Sequence, residues 1–181
     1  MNGIMGTVSS SSVLPGAEAT LPVTAAASRH CCFLIADECF AVPAEAVAEV
    51  LRDGRITRVP RAPEAVIGLV HLRGRIVPVI DMQRHLGLAA VATARTHLVI
   101  RFQDDWYSLL VDEMLDVIEV DERHLEPCAR PAGEGAEDAV RGTFAAQTCL
   151  VHVLDPHRII QALARQRDQS LQRHGAFHGS V

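Results

Sequence analysis

One stretch of this sequence occurs twice, with its internal spacing kept. Gly68 stands thirteen residues before Asp81, and Gly142 stands thirteen before Asp155. At a shift of 74 residues Val66-Ile67-Gly68 falls on Val140-Arg141-Gly142. Ile76-Val77-Pro78-Val79-Ile80-Asp81 falls on Leu150-Val151-His152-Val153-Leu154-Asp155, and Arg84-His85-Leu86 on Arg158-Ile159-Ile160. A second block matches at a shift of 67: Asp37 on Asp104, Phe40 on Tyr107, Val42 on Leu109, Val47 on Met114, Glu49 on Asp116 and Val50 on Val117. The extra length of the second copy lies between the blocks, where Arg130-Pro131-Ala132-Gly133-Glu134-Gly135 reads as a longer loop. Two matched blocks with preserved internal spacing mark two related units. The units are expected at roughly 30–90 and 96–165, with tails over 1–29 and 166–181.

Each unit reads mainly as short strands. Cys31 to Ile35 and Cys39 to Val42 flank Ala36-Asp37-Glu38, a hairpin with a three-residue connection. Leu98 to Phe102 and Trp106 to Val111 repeat it around Gln103-Asp104-Asp105. Over Pro43 to Leu51, Ala44, Val47, Ala48 and Leu51 share a helical face with Glu45 and Glu49 opposite, which predicts a short helix; the matching Asp112 to Val120 alternates as a strand. Val70 to Leu72 and Ile76 to Ile80 flank Arg73-Gly74-Arg75, a further hairpin in which Gly74 is free to take positive φ. Pro78 has no N–H, which predicts an edge strand. Asp81 and Asp155 stand where helix N-caps belong; a single turn should close at Gly87, and a longer helix should follow Asp155-Pro156. Many strands and few helices point to two small barrels or sheets rather than an α/β fold.

The composition closes off several functions. The net charge of −5 disfavours nucleic acid and anionic lipid, which both call for a basic face. Aromatic residues make up 4% of the chain, so the core must be aliphatic. The five cysteines, Cys31, Cys32, Cys39, Cys128 and Cys149, are odd in number and form no CxxC, and read as reduced, buried thiols in a cytosolic protein. No apolar run reaches the roughly 18 residues of a membrane helix. The segment before Arg29, with Ser9 to Ser12, Pro15 and Pro22, lacks the basic residues of a signal peptide and reads as a disordered tail. The polar stretch from Gln166 is expected to extend the last helix and then fray. His152, Asp155 and His157 form a trio of metal-binding residue types, but their spacing matches no established ligand set. No GxSxG, glycine-rich phosphate loop or HExxH occurs, so catalysis has no motif to rest on.

At this point the residues resemble a known family. Phe33-Leu34-Ile35, Phe40-Ala41-Val42-Pro43 and Val47-Ala48-Glu49-Val50 resemble the opening of CheW-like domains, as does Ile56-Thr57-Arg58-Val59-Pro60-Arg61-Ala62-Pro63. Val66 to Asp81 resembles the family signature G-x-x-N-L-R-G-x-I-x-P-V-x-D-L, with His71 in place of the usual Asn. The second half fits through Leu110 to Val117, Val140-Arg141-Gly142 and Val153-Leu154-Asp155, so the likeness spans roughly 30–165. The resemblance implies two SH3-like five-stranded β-barrels packed together, with short helices and a C-terminal helix. It implies a non-enzymatic adaptor without a cofactor, placed in the cytoplasm at membrane-associated receptor arrays. Its implied partners are a chemoreceptor cytoplasmic domain and the regulatory domain of a CheA-type histidine kinase.

The resemblance also assigns candidate sites. Val47, Glu49, Gly68, His71, Arg73 and Gly74 are implied for a receptor-binding groove, and Pro78 and Val79 for a kinase interface. The repeat bears on this independently. The second copy has Gln147-Thr148 where the first has Arg73-Gly74, so the repeated fold does not demand that pair, although a solvated arginine in a turn is its ordinary reading. Glu49 is otherwise a solvated carboxylate, and Gly68 and Gly142 are backbone requirements. A small-molecule-binding sensor domain or a hydrolase on tandem small barrels is the competing class, and would need a concave pocket with convergent polar groups.

Overall fold

The computed structural model describes residues 27–52, 54–89, 95–128, 139–146 and 149–175, with side chains up to 166. Among the described residues there are ten strands, β1 (Ala27–Ile35), β2 (Glu38–Pro43), β3 (Val47–Leu51), β4 (Val66–Leu72), β5 (Arg75–Asp81), β6 (Thr96–Phe102), β7 (Asp105–Val111), β8 (Glu113–Asp121), β9 (Val140–Ala145) and β10 (Leu150–Leu154), and two α-helices, α1 (Met82–His85) and α2 (Pro156–Gly175). They form two five-stranded sheets, ordered β8-β1-β2-β10-β9 and β3-β6-β7-β5-β4. The mainly β reading with two five-stranded units therefore holds.

The chain does not build one sheet from each half. The hairpin β1–β2 of the first half joins β8, β9 and β10 of the second, and β6–β7 joins β3, β4 and β5. The sequence units 30–90 and 96–165 thus each send their first hairpin to the other's sheet. The reason is pairing: β2 lies parallel to β10, with Cys39 opposite Val151, and β7 parallel to β5, with Ser108 opposite Val79. Each hairpin supplies the neighbour that completes the other half's sheet.

The repeat survives this exchange in detail. Gly68 and Gly142 each follow a bulge, and each lets a neighbouring segment press in. A Cβ on Gly68 would meet the Thr57 carbonyl oxygen at 2.4 Å, and one on Gly142 the Glu126 oxygen at 2.8 Å. Those segments bridge Thr57 to Leu69 and Glu126 to Thr143. Asp81 N–H donates to the Ala65 carbonyl and Asp155 N–H to that of Ala139. The Asp81 carboxylate accepts from Arg84 N–H at 3.3 Å, and that of Asp155 from His157 N–H at 2.8 Å, so both cap as expected. Gly87 closes α1 at φ 66°.

Both faces of the inner strands are buried. Phe33, Ile35, Phe40 and Val42 meet Ile80, Leu98, Ile100, Leu109, Leu154 and α2's Ile159, Ile160 and Leu163 between the sheets. Val99, which alternates with Leu98 and Ile100, points instead into the second barrel with Val70, Leu72, Val77, Val79 and Leu110. The first barrel holds a smaller inner core of Cys32, Ala41 and Val151.

Several local expectations change. Pro43–Leu51 is not a helix: a 3₁₀ turn over Ala44–Ala46 leads into β3, because β6 offers a free edge and its backbone ladder outweighs the weak helical face. The first two hairpins turn on two residues, not three, with Ala36 and Asp37 at φ 49° and 66° and Gln103 at 54°. Pro78 lies in an inner strand, not at an edge; its strand pairs with β7 only from Val79 onward, one residue past the missing N–H. β1 begins at Ala27, where Ala27 pairs with Asp121, so 27–29 are strand rather than tail; residues 1–26 lie outside the described residues. α2 runs past 165 to Gly175, as an extension of the last helix requires.

Candidate functional site

The Arg73-Gly74 turn is a tight two-residue connection from Leu72 to Arg75. Arg73 takes φ 47° and Gly74 φ 79°, the positive pair that a type I′ turn requires. Glycine adopts this freely, but arginine does so at a cost. The strained turn aims the guanidinium across the barrel at β3. Arg73 Nε lies 3.0 Å from Glu49 Oε2, and its Nη2 donates to Oε1 at 3.1 Å. Glu49 reaches that position because a bulge between Val47 and Glu49 shifts the β3–β6 register.

The two residues come from opposite ends of the strand order. Four interstrand steps in a flat sheet would separate β3 from β4 by about 19 Å. Their contact requires the sheet to curl until its edges meet, as does the Thr57–Leu69 bridge. The clamp sits at that seam with Arg73 71% exposed and Glu49 21%. Asp116, the counterpart of Glu49, turns its carboxylate to the N–H of Val117 at 2.7 Å, and Gln147-Thr148 lie outside the described residues.

The remaining candidates separate. His71 is exposed on β4 opposite Ile76, and Val47 packs partly against the central core. Gly74 is exposed with open space where a Cβ would stand. Gly68 is buried against Thr57, so its part is to let the connecting segment approach. Val79 is fully buried in the second barrel, so its side chain is not available to a partner, which corrects its place among interface candidates. Pro78 is half-buried and lines a 260 Å³ depression with Arg75, Ile76, Asp104, Asp105, Trp106 and Tyr107. Arg75 lies 5.2 Å over the Trp106 ring there, and burial and Asp105 push the Tyr107 hydroxyl pKa up.

Sequence reasoning passed over the exposed apolar residues. Ile76 is 70% exposed and its counterpart Leu150 53%; Val50 is 44% exposed and its counterpart Val117 50%. Their recurrence at matched positions was a signal available in the repeat. A further 450 Å³ depression is lined by Ile56, Arg58, Glu64, Ile67, Asp81 and Arg84, among others. The Asp81 carboxylate in it is already committed to Arg84 at 3.5 Å and Arg95 at 2.6 Å. His152, Asp155 and His157 do not converge: His152 packs at a tilt on Phe40, His157 meets Phe102 edge to face, and Asp155 caps α2. No group of three or more His, Cys, Asp or Glu suited to a metal ion occurs among the described residues.

Comparison with known proteins agrees with this architecture. The CheW-like domain family model matches residues 29–164. A chemotaxis protein CheW of Rhizobium meliloti is 30% identical over 126 residues, covering 67% of this chain and 81% of that protein. Protein PilI of Pseudomonas aeruginosa is 35% identical over 77 residues, covering 41% and 43%. The crystal structure of the scaffolding protein TtCheW from Thermoanaerobacter tengcongensis superposes with a TM-score of 0.67 at 26% identity, covering 74% of this chain and 92% of that one. With its exchanged barrels and a family match across nearly all described residues, the chain belongs to the CheW-like domain family.

Proposed function

We propose that this chain is a non-enzymatic adaptor that couples a chemoreceptor cytoplasmic tip to a CheA-type histidine kinase. The observation that carries this reading is the exposed Arg73–Glu49 clamp at the barrel seam of a CheW-like domain. An exposed pair contributes only about 0–1 kcal/mol to folding. A strained turn that presents such a pair is better explained by recognition than by stability. Arg73 keeps donors free for a partner while clamped to Glu49, and His71, Val47 and Gly74 lie on or beside the same strands. The kinase regulatory domain would dock elsewhere, on the apolar surface around Ile76, Pro78 and Trp106. Among the described residues no helix is long and apolar enough to cross a membrane.

The test is direct binding of the full chain to two immobilised partners from its own genome, a receptor cytoplasmic fragment and a kinase regulatory domain. Arg73→Ala should weaken receptor binding about tenfold or more and leave kinase binding within about twofold, as expected for loss of a central arginine contact. Ile76→Glu should do the reverse. Absence of binding to both partners would overturn the proposal. A ligand-dependent rise in melting temperature without partner binding would instead favour a small-molecule sensor.

A further inference from the structure

Three of the five cysteines, Cys32, Cys39 and Cys149, gather in one place, while Cys31 packs against the central core. Cys31 and Cys32 lie on β1, Cys39 on β2 and Cys149 in the bend entering β10; Cys32 is buried and the other three are half-buried. Cys39 stands opposite Val151 across the parallel β2–β10 pair. Cys149, two residues before Val151, falls on the same face of the sheet. That face lines the first barrel, where Cys39, Cys149, Ile118 and Ala146 pack on Cys32, Ala41 and Val151. Within it the Cys39 and Cys149 side chains adjoin the same buried residues.

In the second barrel the long side chains on the same diagonal reach one another. By the repeat, Cys39 corresponds to Trp106 and Cys149 to Arg75, and there the guanidinium lies 5.2 Å over the indole. The same step across the same pair of strands holds a large stacked pair in one barrel and two small thiols in the other. The inner cores differ in the same sense, with six buried side chains in the second barrel and three in the first. The barrel with the thinner core therefore carries the thiol pair on the seam that joins the exchanged hairpin to the strands it completes.

We propose that Cys39 and Cys149 form a dithiol that closes to a disulfide on reaction with a small-molecule disulfide, stapling the exchanged hairpin β1–β2 to β10. One thiol loses its proton and attacks the oxidant, breaking its S–S bond, forming a mixed disulfide and releasing one oxidant thiolate. The second thiolate then attacks the mixed disulfide at the protein sulfur and displaces the other oxidant half. The two protein thiols lose two electrons, and the two released halves take up the two protons. Burial raises the Cys39 thiol to about 11, so closure is slow near neutrality and quickens as pH rises. Cys32, raised to about 12 and buried, is the slower competitor.

The test uses the reduced full chain and oxidised glutathione at pH 8.5, with denaturing alkylation and mass spectrometry. The expected product is lighter by two hydrogens, carries no glutathione, and links Cys39 to Cys149 on fragmentation of the joined peptides. Its melting temperature should rise by roughly 5–10 °C and return on reduction with dithiothreitol. Cys149→Ala, in the bend outside the ladder, and Cys39→Ala should each abolish both the linkage and the rise. A stable glutathione adduct, a linkage through Cys31, Cys32 or Cys128, a disulfide between chains, or no oxidation would each overturn the proposal.

Discussion

Arg73 grips both carboxylate oxygens of Glu49, at 3.0 and 3.1 Å, across the seam where the two edges of the second sheet meet. The pair joins a turn to a strand that the sheet order sets as far apart as it can. Because both groups are partly in water, its loss should cost no more than about 1 kcal/mol of stability. Arg73→Gly removes the guanidinium and fits the positive φ, so its urea midpoint should equal or exceed that of the natural chain. Receptor binding should fall all the same. Charge reversal at both positions, Arg73→Glu with Glu49→Arg, should recover more binding than either single reversal; equal loss in all three would show that the contact is incidental.

Gly68 and Gly142 grade a second prediction by distance. A Cβ at Gly68 meets a backbone oxygen at 2.4 Å and one at Gly142 meets one at 2.8 Å. Both carbonyls belong to bridged segments and cannot simply swing away. Gly68→Ala should therefore destabilise by about 2–4 kcal/mol and Gly142→Ala by about 1–2, by overpacking. Equilibrium urea unfolding gives both values, and the reverse order would contradict the close-approach argument.

Asp112 holds the glycine-free turn at Ala36-Asp37. Its carboxylate accepts from Ala36 N–H at 2.7 Å and from the Gln83 amide at 2.8 and 2.9 Å, while Arg95 bonds Gln83 and Asp81. The network ties a turn of the first barrel to α1 at the end of β5 in the second. Asp112→Ala should cost about 1–3 kcal/mol by leaving these donors unpaired. Ala36→Gly relieves the strained φ and should stabilise the natural chain by about 0.5–1 kcal/mol. Thermal unfolding of the two variants and their combination measures the coupling, and full additivity would show that Asp112 does not brace the turn.

His85 makes the fold sensitive to acid. It is buried on α1, neither ring nitrogen has a hydrogen-bond partner, and burial lowers its pKa to about 4. The unfolded chain, with an ordinary histidine near 6.5, binds the proton more readily. Stability is therefore complete above about pH 6.5 and falls as pH drops toward 4, by about 3 kcal/mol from this residue. Burial shifts His97 and His152 the same way. His85→Leu should flatten the urea-unfolding profile between pH 6.5 and 4; an unchanged slope would place the acid sensitivity elsewhere.

The sequence by itself determined the parts that repeat. The matched spacing from Gly68 to Asp81 and from Gly142 to Asp155 carried the caps, the close approaches and the two-unit plan, since each is a local demand on a few residues. The Arg73-Gly74 turn was also legible, because the family signature and the unrepeated arginine pointed to the same place. Only the tertiary structure decided which strands pair. Residues 43–51 carry a helical pattern as readily as a strand pattern, and the free edge of β6 chose between them. Pro78 marks a place without an N–H, yet an inner strand tolerates it where the parallel ladder has not begun. Val79 reads like any apolar residue of a signature motif, and its burial depends on strands far away in the chain. The exchange of hairpins is of the same kind. β1–β2 and β6–β7 are near copies, each able to satisfy a parallel edge, and what selects the partner is the apolar surface that Phe33, Phe40, Leu98 and Leu109 bury between the two barrels.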